Sequence, residues 1–196
     1  TYKKYAKILI DKGLAYADPY SKEELEEFRK KAEEEKRPFL YRDHRPSADQ
    51  LAPWIDEDGK RTPLRLRIPD EMIAAGTVTW NDLVRGELSA GPESLDDFIL
   101  IKSDGYPTYN FAHIIDDLLM GVTHITRADE FISSTPKFLA LYDALGIKEN
   151  PTEEEIAAGM HARPQIASLP PIMSPDGKKK LGKRDGAKDI LEYRSE

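Results

Sequence analysis

Hydrophobic and polar positions alternate with helical spacing at the start of the chain. Residues 2–12 place three apolar side chains on one helical face, and Gly13 follows as a natural C-cap. The sequence Ser-Lys-Glu-Glu at residues 21–24 is a capping box that begins a highly charged helix to about Lys36. Residues 38–63 are rich in Pro, Asp and Arg without a clear period, which predicts a loop.

The next apolar segments have the shorter spacing of strands. Residues 64–68 alternate at period two, and residues 77–80 and 83–88 predict further short strands, with Gly86 at a turn. Residues 98–101 form a continuous apolar run, as expected of a strand covered on both faces. The first hundred residues therefore predict an α+β module.

The pattern changes after residue 107, where helices and strands alternate. The predicted elements are a helix at 108–120, a strand at 124–127, a helix at 133–145, a short acidic helix from 152, and an extended segment at 166–173. Helix, strand and helix joined by short links predict half of a parallel, nucleotide-binding sheet. The overall prediction is an α/β fold.

The amino-acid composition limits the kinds of protein to which the chain can belong. The 196 residues are 39% hydrophobic and 33% charged, which allows one large domain or two small ones. No apolar run suits a membrane span, and the start, Thr1 rather than Met, lacks a secretory signal and suggests a piece of something longer. The absence of cysteine excludes disulfides and thiolate metal sites and favours the cytoplasm. A net charge of −7 argues against nonspecific coating of nucleic acid.

One basic segment stands out against this acidic background. From Gly177 to Gly186 the chain carries five cations and three glycines within ten residues. Glycine permits a close backbone approach, and lysine and arginine supply charge for phosphate. The segment therefore predicts a mobile loop that holds a polyphosphate, with a solvated lysine turn as the alternative.

This loop differs from a Walker A loop. Gly177-x4-Gly182-Lys183 has the spacing, but Arg184 stands where Ser or Thr must bind magnesium. The preceding segment, with Pro170 and Pro171, is also a poor buried strand. The pattern disfavours P-loop chemistry.

Other candidate residues lie near the predicted parallel strand. Arg127 ends it, so Arg127 is either a clamp for a carboxylate or phosphate in the ligand crevice or a structural partner of Asp129 or a neighbour. Tyr109 and His113 fall at i and i+4, either facing that crevice or forming an ordinary half-buried pair. The four histidines have no zinc-site spacing, and no nucleophile is paired with a base.

Long motifs in the second half resemble those of one family. Residues 103–127 (SDGYPTYNFAHIIDDLLMGVTHITR) closely resemble bacterial glutamyl-tRNA synthetases, and the likeness continues through 133–137, 141–146, 176–187 and 191–194. The resemblance implies a class I synthetase that activates L-glutamate with ATP and transfers it to the 3′ end of tRNA(Glu).

The same resemblance implies a division of the chain. Residues 1–107 look like the connective-peptide insertion, an α+β module that binds the acceptor stem. Residues 108–168 look like the second half of the Rossmann-type catalytic domain. Residues 169–196 look like the ATP loop and the start of the stem-contact region.

Site residues are implied in the same way, at positions that match the family's motifs. The glutamate-binding residues are Tyr109, Arg127 and His113. ATP would be bound by Lys183, Lys180, Glu130 and Phe131, accompanied by Mg²⁺. The catalytic cations would be Lys183, Lys180 and Arg184, and Arg85 would lie near the tRNA acceptor end.

The chain departs from the family pattern in three ways. Gly182 replaces the serine of the lysine-loop signature. Residues 16–20 and 41–45, where some relatives carry a zinc knuckle, contain no cysteine, so no zinc is predicted. The histidine motif of the first Rossmann half and the anticodon-binding helices are absent, so the chain alone is predicted to be inactive.

We predict a monomer. Two alternative functions stay open. One is a noncatalytic module that binds the tRNA acceptor stem. The other is a paralogue like the glutamyl-Q tRNA(Asp) synthetases, which glutamylate a modified base. Glutaminyl-tRNA synthetase is disfavoured because Arg127 and its surroundings follow the glutamate pattern.

Overall fold

The computed structural model describes residues 1–51, 53–55, 58–174 and 177–181. No helix within these ranges has the length and apolar character to cross a membrane. The helices are α1 (Tyr2–Asp11), α2 (Lys22–Glu34), α3 (Asp70–Ala74), α4 (Tyr109–Met120), α5 (Thr135–Leu145) and α6 (Glu153–Ala157). The strands are β1 (Ala15–Ala17), β2 (Leu64–Leu66), β3 (Val78–Asp82), β4 (Gly86–Ala90), β5 (Ile99–Ile101), β6 (His124–Ala128) and β7 (Gln165–Leu169).

The described strands form two sheets. The first is antiparallel with the order β1-β2-β5, and the second has the order β4-β3-β7-β6. In the second sheet β6 and β3 both run parallel to β7, while β3 and β4 form an antiparallel hairpin. The parallel sheet predicted for the second half of the chain is confirmed. That the β3–β4 hairpin joins this sheet was not predicted.

The predicted capping box of α2 and the predicted glycine ends of α4 and α5 are confirmed, whereas Ser134 makes no capping hydrogen bond at the start of α5. Ser21 and Glu24 form both hydrogen bonds of the capping box that begins α2. Helices α4 and α5 end at Gly121 and Gly146, whose φ angles of 68° and 82° lie in the left-handed region that glycine adopts without a Cβ penalty. Each of these helix ends is therefore specified by residues that lie within one helical turn of it.

The predicted strand over residues 83–88 is wrong at its start. Leu83 to Arg85 form a turn, and β4 begins only at Gly86. The cause is Asp82, whose Oδ1 accepts hydrogen bonds from the backbone N–H groups of Val84 and Arg85 at 2.9 and 3.0 Å. A side chain that satisfies these amides offers the backbone an alternative to the strand ladder.

One hydrophobic core crosses residue 107. Leu9 and Leu66 from the first part of the chain are fully buried in the same cluster as Phe111 and Leu141 from the second. Helix α1 contacts both α4 and α5. Helices α4 and α5, which line the candidate site, therefore pack against the first part of the chain.

Asp18 forms a buried ion pair and a hydrogen bond beside residues 16–20 and 41–45, the two segments whose lack of cysteine led to the prediction of no zinc. Arg65 Nε donates to Asp18 Oδ2 at 2.7 Å, and the Tyr41 hydroxyl donates to Asp18 Oδ1 at 2.6 Å. The Arg65 guanidinium also lies 3.5 Å from the centre of the Tyr41 ring. Asp18 thus connects residues 16–20 to residues 41–45 through its hydrogen bond from Tyr41.

We expect Asp18→Asn to lower the free energy of unfolding of the chain by about 3 kcal/mol, because Arg65 would remain buried without its counter-charge. Urea unfolding of residues 1–196 followed by circular dichroism would measure this. Asp11→Asn is the control, since Asp11 and Lys7 form an ion pair that is more than half exposed. A loss no larger than that of the control would contradict the prediction.

Candidate active site

Arg127 lies among aromatic rings at the end of β6. Its side chain is 13% exposed, and its guanidinium carbon lies 5.3 Å from the ring centres of Phe131 and Phe138 and 5.8 Å from that of Tyr109. Its Nη2 is 4.0 Å from Asp117 Oδ2, which is too far for a hydrogen bond. Its Nη1 is buried without a hydrogen-bond partner. A buried cationic donor without an acceptor is costly, so this nitrogen is suited to a ligand.

The alternative partner of Arg127 is engaged elsewhere. Asp129 Oδ2 accepts a hydrogen bond from Arg85 Nη2 at 3.1 Å. Asp117 is therefore the neighbouring carboxylate of Arg127. Burial raises the pKa of Asp117, and the charge of Arg127 opposes that rise. This weak pairing leaves much of the guanidinium's hydrogen-bonding capacity for another group.

A small cavity beside Arg127 has a second unsatisfied donor. Residues of α4, β6, α5 and β7 line it, among them His113, Arg127, Phe138, Tyr142 and Ser168. The Tyr142 hydroxyl is buried without a hydrogen-bond partner, and burial raises the pKa of Tyr142, so the phenol keeps its proton. Sequence reasoning missed Tyr142, although its i, i+4 spacing from Phe138 places both on one face of α5.

Tyr109 and His113 form a stacked pair on one face of α4, as the spacing predicts. Their ring centres are 4.9 Å apart with an interplanar angle of 21°, and His113 Nδ1 donates to the Tyr109 carbonyl oxygen at 2.8 Å. Burial lowers the pKa of His113 to about 4; the hydrogen bond to Tyr109 opposes this shift and the charge of Arg127 adds to it. The imidazole is therefore neutral at pH 7, and Arg127 supplies the positive charge.

Glu130 and Phe131 begin a 3₁₀ helix, Asp129–Ser134, that directly follows β6. The Phe131 ring lies 6.1 Å from the Tyr109 ring, within the aromatic cluster. The Glu130 carboxylate pairs with Lys180, whose Nζ lies 3.1 Å from Glu130 Oε2. Both side chains of this ion pair are more than half exposed, so it contributes about 0.2–1 kcal/mol and can be exchanged for another partner.

The described part of the lysine loop folds back along the segment before it. Met173 and Lys180 form an antiparallel bridge, and Leu181 N–H donates to the Ile172 carbonyl oxygen at 2.7 Å. This return places Lys180 at the end of β6. Lys183, Arg184 and Gly182 lie outside the described residues.

The candidate residues therefore meet at one end of the parallel strands. Tyr109, His113, Arg127 and Phe131 share one aromatic cluster, while Lys180 contacts Glu130 and Arg85 contacts Asp129. No group of three or more histidine, aspartate or glutamate side chains that could hold a metal ion occurs in the described ranges. The arrangement combines a buried guanidinium with an unsatisfied donor, a neutral aromatic wall and an exposed lysine.

Comparisons with known proteins agree on one family. A family model described as "tRNA synthetases class I (E and Q), catalytic domain" matches residues 1–188. The chain is 40% identical over 197 residues to glutamate–tRNA ligase 1 of Caldanaerobacter subterraneus subsp. tengcongensis and 38% identical to glutamate–tRNA ligase 2 of Thermoanaerobacter pseudethanolicus. The matches cover 100% of this chain but 37% of each relative.

Solved structures give the same result. A glutamate tRNA ligase from Elizabethkingia meningosepticum, crystallised in complex with its amino acid, aligns with a TM-score of 0.72 and 31% identity. The alignment covers 94% of this chain and 35% of that one. The α/β arrangement seen here is thus that of a class I synthetase catalytic domain. With the family model matching nearly its whole length, the chain belongs to the class I tRNA synthetases of the E and Q type.

Proposed function

We propose that the chain is a catalytic segment of a glutamate–tRNA ligase, which activates L-glutamate with ATP and transfers it to tRNA(Glu). The observation that carries this proposal is the pair of buried, unsatisfied donors, Arg127 Nη1 and Tyr142 OH, beside one cavity. Such donors suit the carboxylate of an acidic ligand, and the cavity, at about 10 Å³, has to widen to admit it. The names of the similar ligases support glutamate as that ligand.

In this proposal Arg127 binds a glutamate carboxylate and α4 shapes the pocket. A guanidinium presents a planar fork that matches a carboxylate with two parallel hydrogen bonds. Tyr109 and His113 form the wall beside it, and the neutral His113 adds no competing charge. The Arg127 side chain is itself largely buried, which strengthens the charge–charge attraction.

ATP would lie on the other side of Arg127, at Glu130, Phe131 and the lysine loop. In adenylate formation a glutamate carboxylate oxygen bonds to the α-phosphorus of ATP while the bond to the β-phosphate oxygen breaks, which releases pyrophosphate. The reaction needs positioning and cationic stabilisation of the departing charge. Lys183, assisted by Lys180 and Arg184, would supply that stabilisation. Mg²⁺ would accompany the ATP phosphates and share their charge.

The proposed organisation follows the three segments. Residues 1–107 would be the connective-peptide insertion that contacts the acceptor stem, 108–168 the second Rossmann half, and 169–196 the ATP loop and start of the stem-contact region. Within the described residues β6 pairs only with β7, so its other edge offers backbone groups to a further strand. We assign that edge to the first Rossmann half, which would complete a monomeric, cytoplasmic enzyme without zinc.

Assays on the full-length enzyme, meaning the longer protein that contains residues 1–196, test this proposal. We expect glutamate-dependent exchange of pyrophosphate into ATP and glutamylation of tRNA(Glu), with glutamine as the amino-acid control. Residues 1–196 alone should do neither, because half of the ATP site is missing.

Other outcomes would decide between the alternatives. Charging of tRNA by residues 1–196 alone would contradict the predicted inactivity. Binding of tRNA by the full-length protein without any ATP-dependent step would favour a noncatalytic acceptor-stem module. Glutamylation of tRNA(Asp) instead of tRNA(Glu) would favour the glutamyl-Q type of paralogue.

A further inference from the structure

A single buried carboxylate connects the β3–β4 hairpin to the rest of the parallel sheet. Asp82 is 1% exposed at the end of β3. Its Oδ1 accepts from the Val84 and Arg85 amides across the hairpin turn at 2.9 and 3.0 Å. The Ser168 amide of β7 donates to Oδ1 at 3.1 Å and to Oδ2 at 3.0 Å. One side chain therefore holds the turn and the neighbouring strand together.

The pairing between β3 and β7 is short, so this connection matters. Its register consists of one residue pair, Asp82 opposite Ile166, supplemented by a hydrogen bond from Leu83 N–H to the Ile166 carbonyl oxygen at 2.8 Å. Burial alone would raise the pKa of Asp82, but hydrogen bonds from Ser168 and from the turn amides lower it below its usual value. The carboxylate is therefore ionised and fully hydrogen-bonded inside the sheet. It is the main link between the β3–β4 hairpin and β7.

The tip of the hairpin is placed by these hydrogen bonds rather than by packing. Leu83 and Val84 are 50% and 51% exposed, which is unusual for two adjacent apolar side chains. Arg85 follows them and forms an ion pair with Asp129 at 3.1 Å, next to Glu130 of the candidate ATP site. A change at Asp82 would therefore move Arg85 relative to the end of β6.

We propose that Asp82 is a positioning residue for the transfer step: it holds the hairpin tip, Leu83 to Arg85, where Arg85 meets the 3′ end of the RNA. The proposal rests on the proposed function and on the expectation, implied by the family motifs, that Arg85 lies near the tRNA acceptor end. A single-stranded RNA end offers phosphates for Arg85 and unstacked base faces for the two exposed apolar side chains. Asp82 itself touches no substrate and acts through Arg85.

Asp82→Asn in the full-length enzyme tests this role. Asparagine keeps the shape and one acceptor oxygen, but its NH₂ group cannot accept a hydrogen bond from the turn amides or from Ser168. We expect the KM for tRNA(Glu) to rise about 10-fold, as the loss of a hydrogen bond to a charged group implies. Pyrophosphate exchange at saturating tRNA and glutamate should stay within about twofold of wild type, because the pocket of Arg127 is untouched.

A double-mutant cycle and a matched control separate positioning from general stability. In an Arg85→Ala enzyme, Asp82→Asn should raise the KM for tRNA little further, because both changes remove the same contact. Asp97→Asn is the control: Asp97 is a fully buried acid just before β5 of the other sheet, and it accepts hydrogen bonds from Tyr16 and Arg45. It should lower the melting temperature without changing the ratio of exchange to charging.

Three results would overturn the role of Asp82. They are an unchanged KM for tRNA, an equal loss of exchange and charging, and full additivity with Arg85→Ala. Should Asp82→Asn not be recovered folded, Asp82→Glu keeps the charge but moves the carboxylate by one methylene group, away from the amides of Val84, Arg85 and Ser168. It should raise the same KM about threefold, with no rise counting against the proposal. A wild-type enzyme without glutamate-dependent exchange would instead defeat the proposed function, so the two failures are distinguishable.

Discussion

Arg127→Ala in the full-length enzyme is expected to raise the KM for glutamate roughly 100- to 1000-fold, because it removes two charge-assisted hydrogen bonds to the glutamate carboxylate. Arg127 is the one cationic side chain among the described residues that line the cavity, since burial keeps His113 neutral. Steady-state pyrophosphate exchange as a function of glutamate concentration measures the effect. The fold should persist, because Asp117, whose pKa burial already raises, can take up a proton when Arg127 is absent.

Graded variants sharpen this test of the pocket. Arg127→Lys keeps the charge but loses the fork, so an intermediate rise of about 10-fold is expected. Tyr142→Phe removes only the unsatisfied hydroxyl and should raise the KM about threefold. Arg67→Ala, at an exposed ion pair with Asp70, is the control. A glutamate KM within twofold of wild type for Arg127→Ala would remove Arg127 from the pocket.

Lys183→Ala should give the opposite pattern: adenylate formation slowed about 100-fold or more, with glutamate affinity nearly unchanged. The reason is that a cation at this position acts on the pyrophosphate charge that develops in the transition state, which glutamate alone does not carry. Lys183 lies outside the described residues, so its role follows from the family motif and from the placement of Lys180 beside Glu130.

Rapid-quench kinetics of adenylate formation and equilibrium binding of glutamate would separate the two effects. Lys148→Ala is a suitable control, because Lys148 is an exposed lysine paired with Glu155 on the surface. Exchange kinetics near wild type for Lys183→Ala would refute the role. Together with Arg127→Ala, this variant divides the site into a residue for binding and a residue for the chemical step.

Much of the candidate site was predictable because its residues are close in sequence. Tyr109 and His113 lie one helical turn apart, and Arg127, Glu130 and Phe131 follow one another at the end of a strand. Which carboxylate neighbours Arg127 was not predictable. Asp129 is bound by Arg85, which lies 44 residues away, so Asp117 takes that place.

The sequence by itself determined α1, α2, α4, α5 and α6, the capping box of α2, the glycine ends of α4 and α5, and the parallel character of the second half, because these follow from contacts within about one turn or one strand. It did not predict α3. Only the tertiary structure decided that the hairpin joins the parallel sheet through Asp82, and that the hydroxyl of Tyr142 is buried unsatisfied near Arg127. Gly182 has no explanation in the structure. The hydrogen bond from Ser168 to Asp82 spans 86 residues, and no local pattern encodes such a distance; it arises when burial in a shared core brings the strands together.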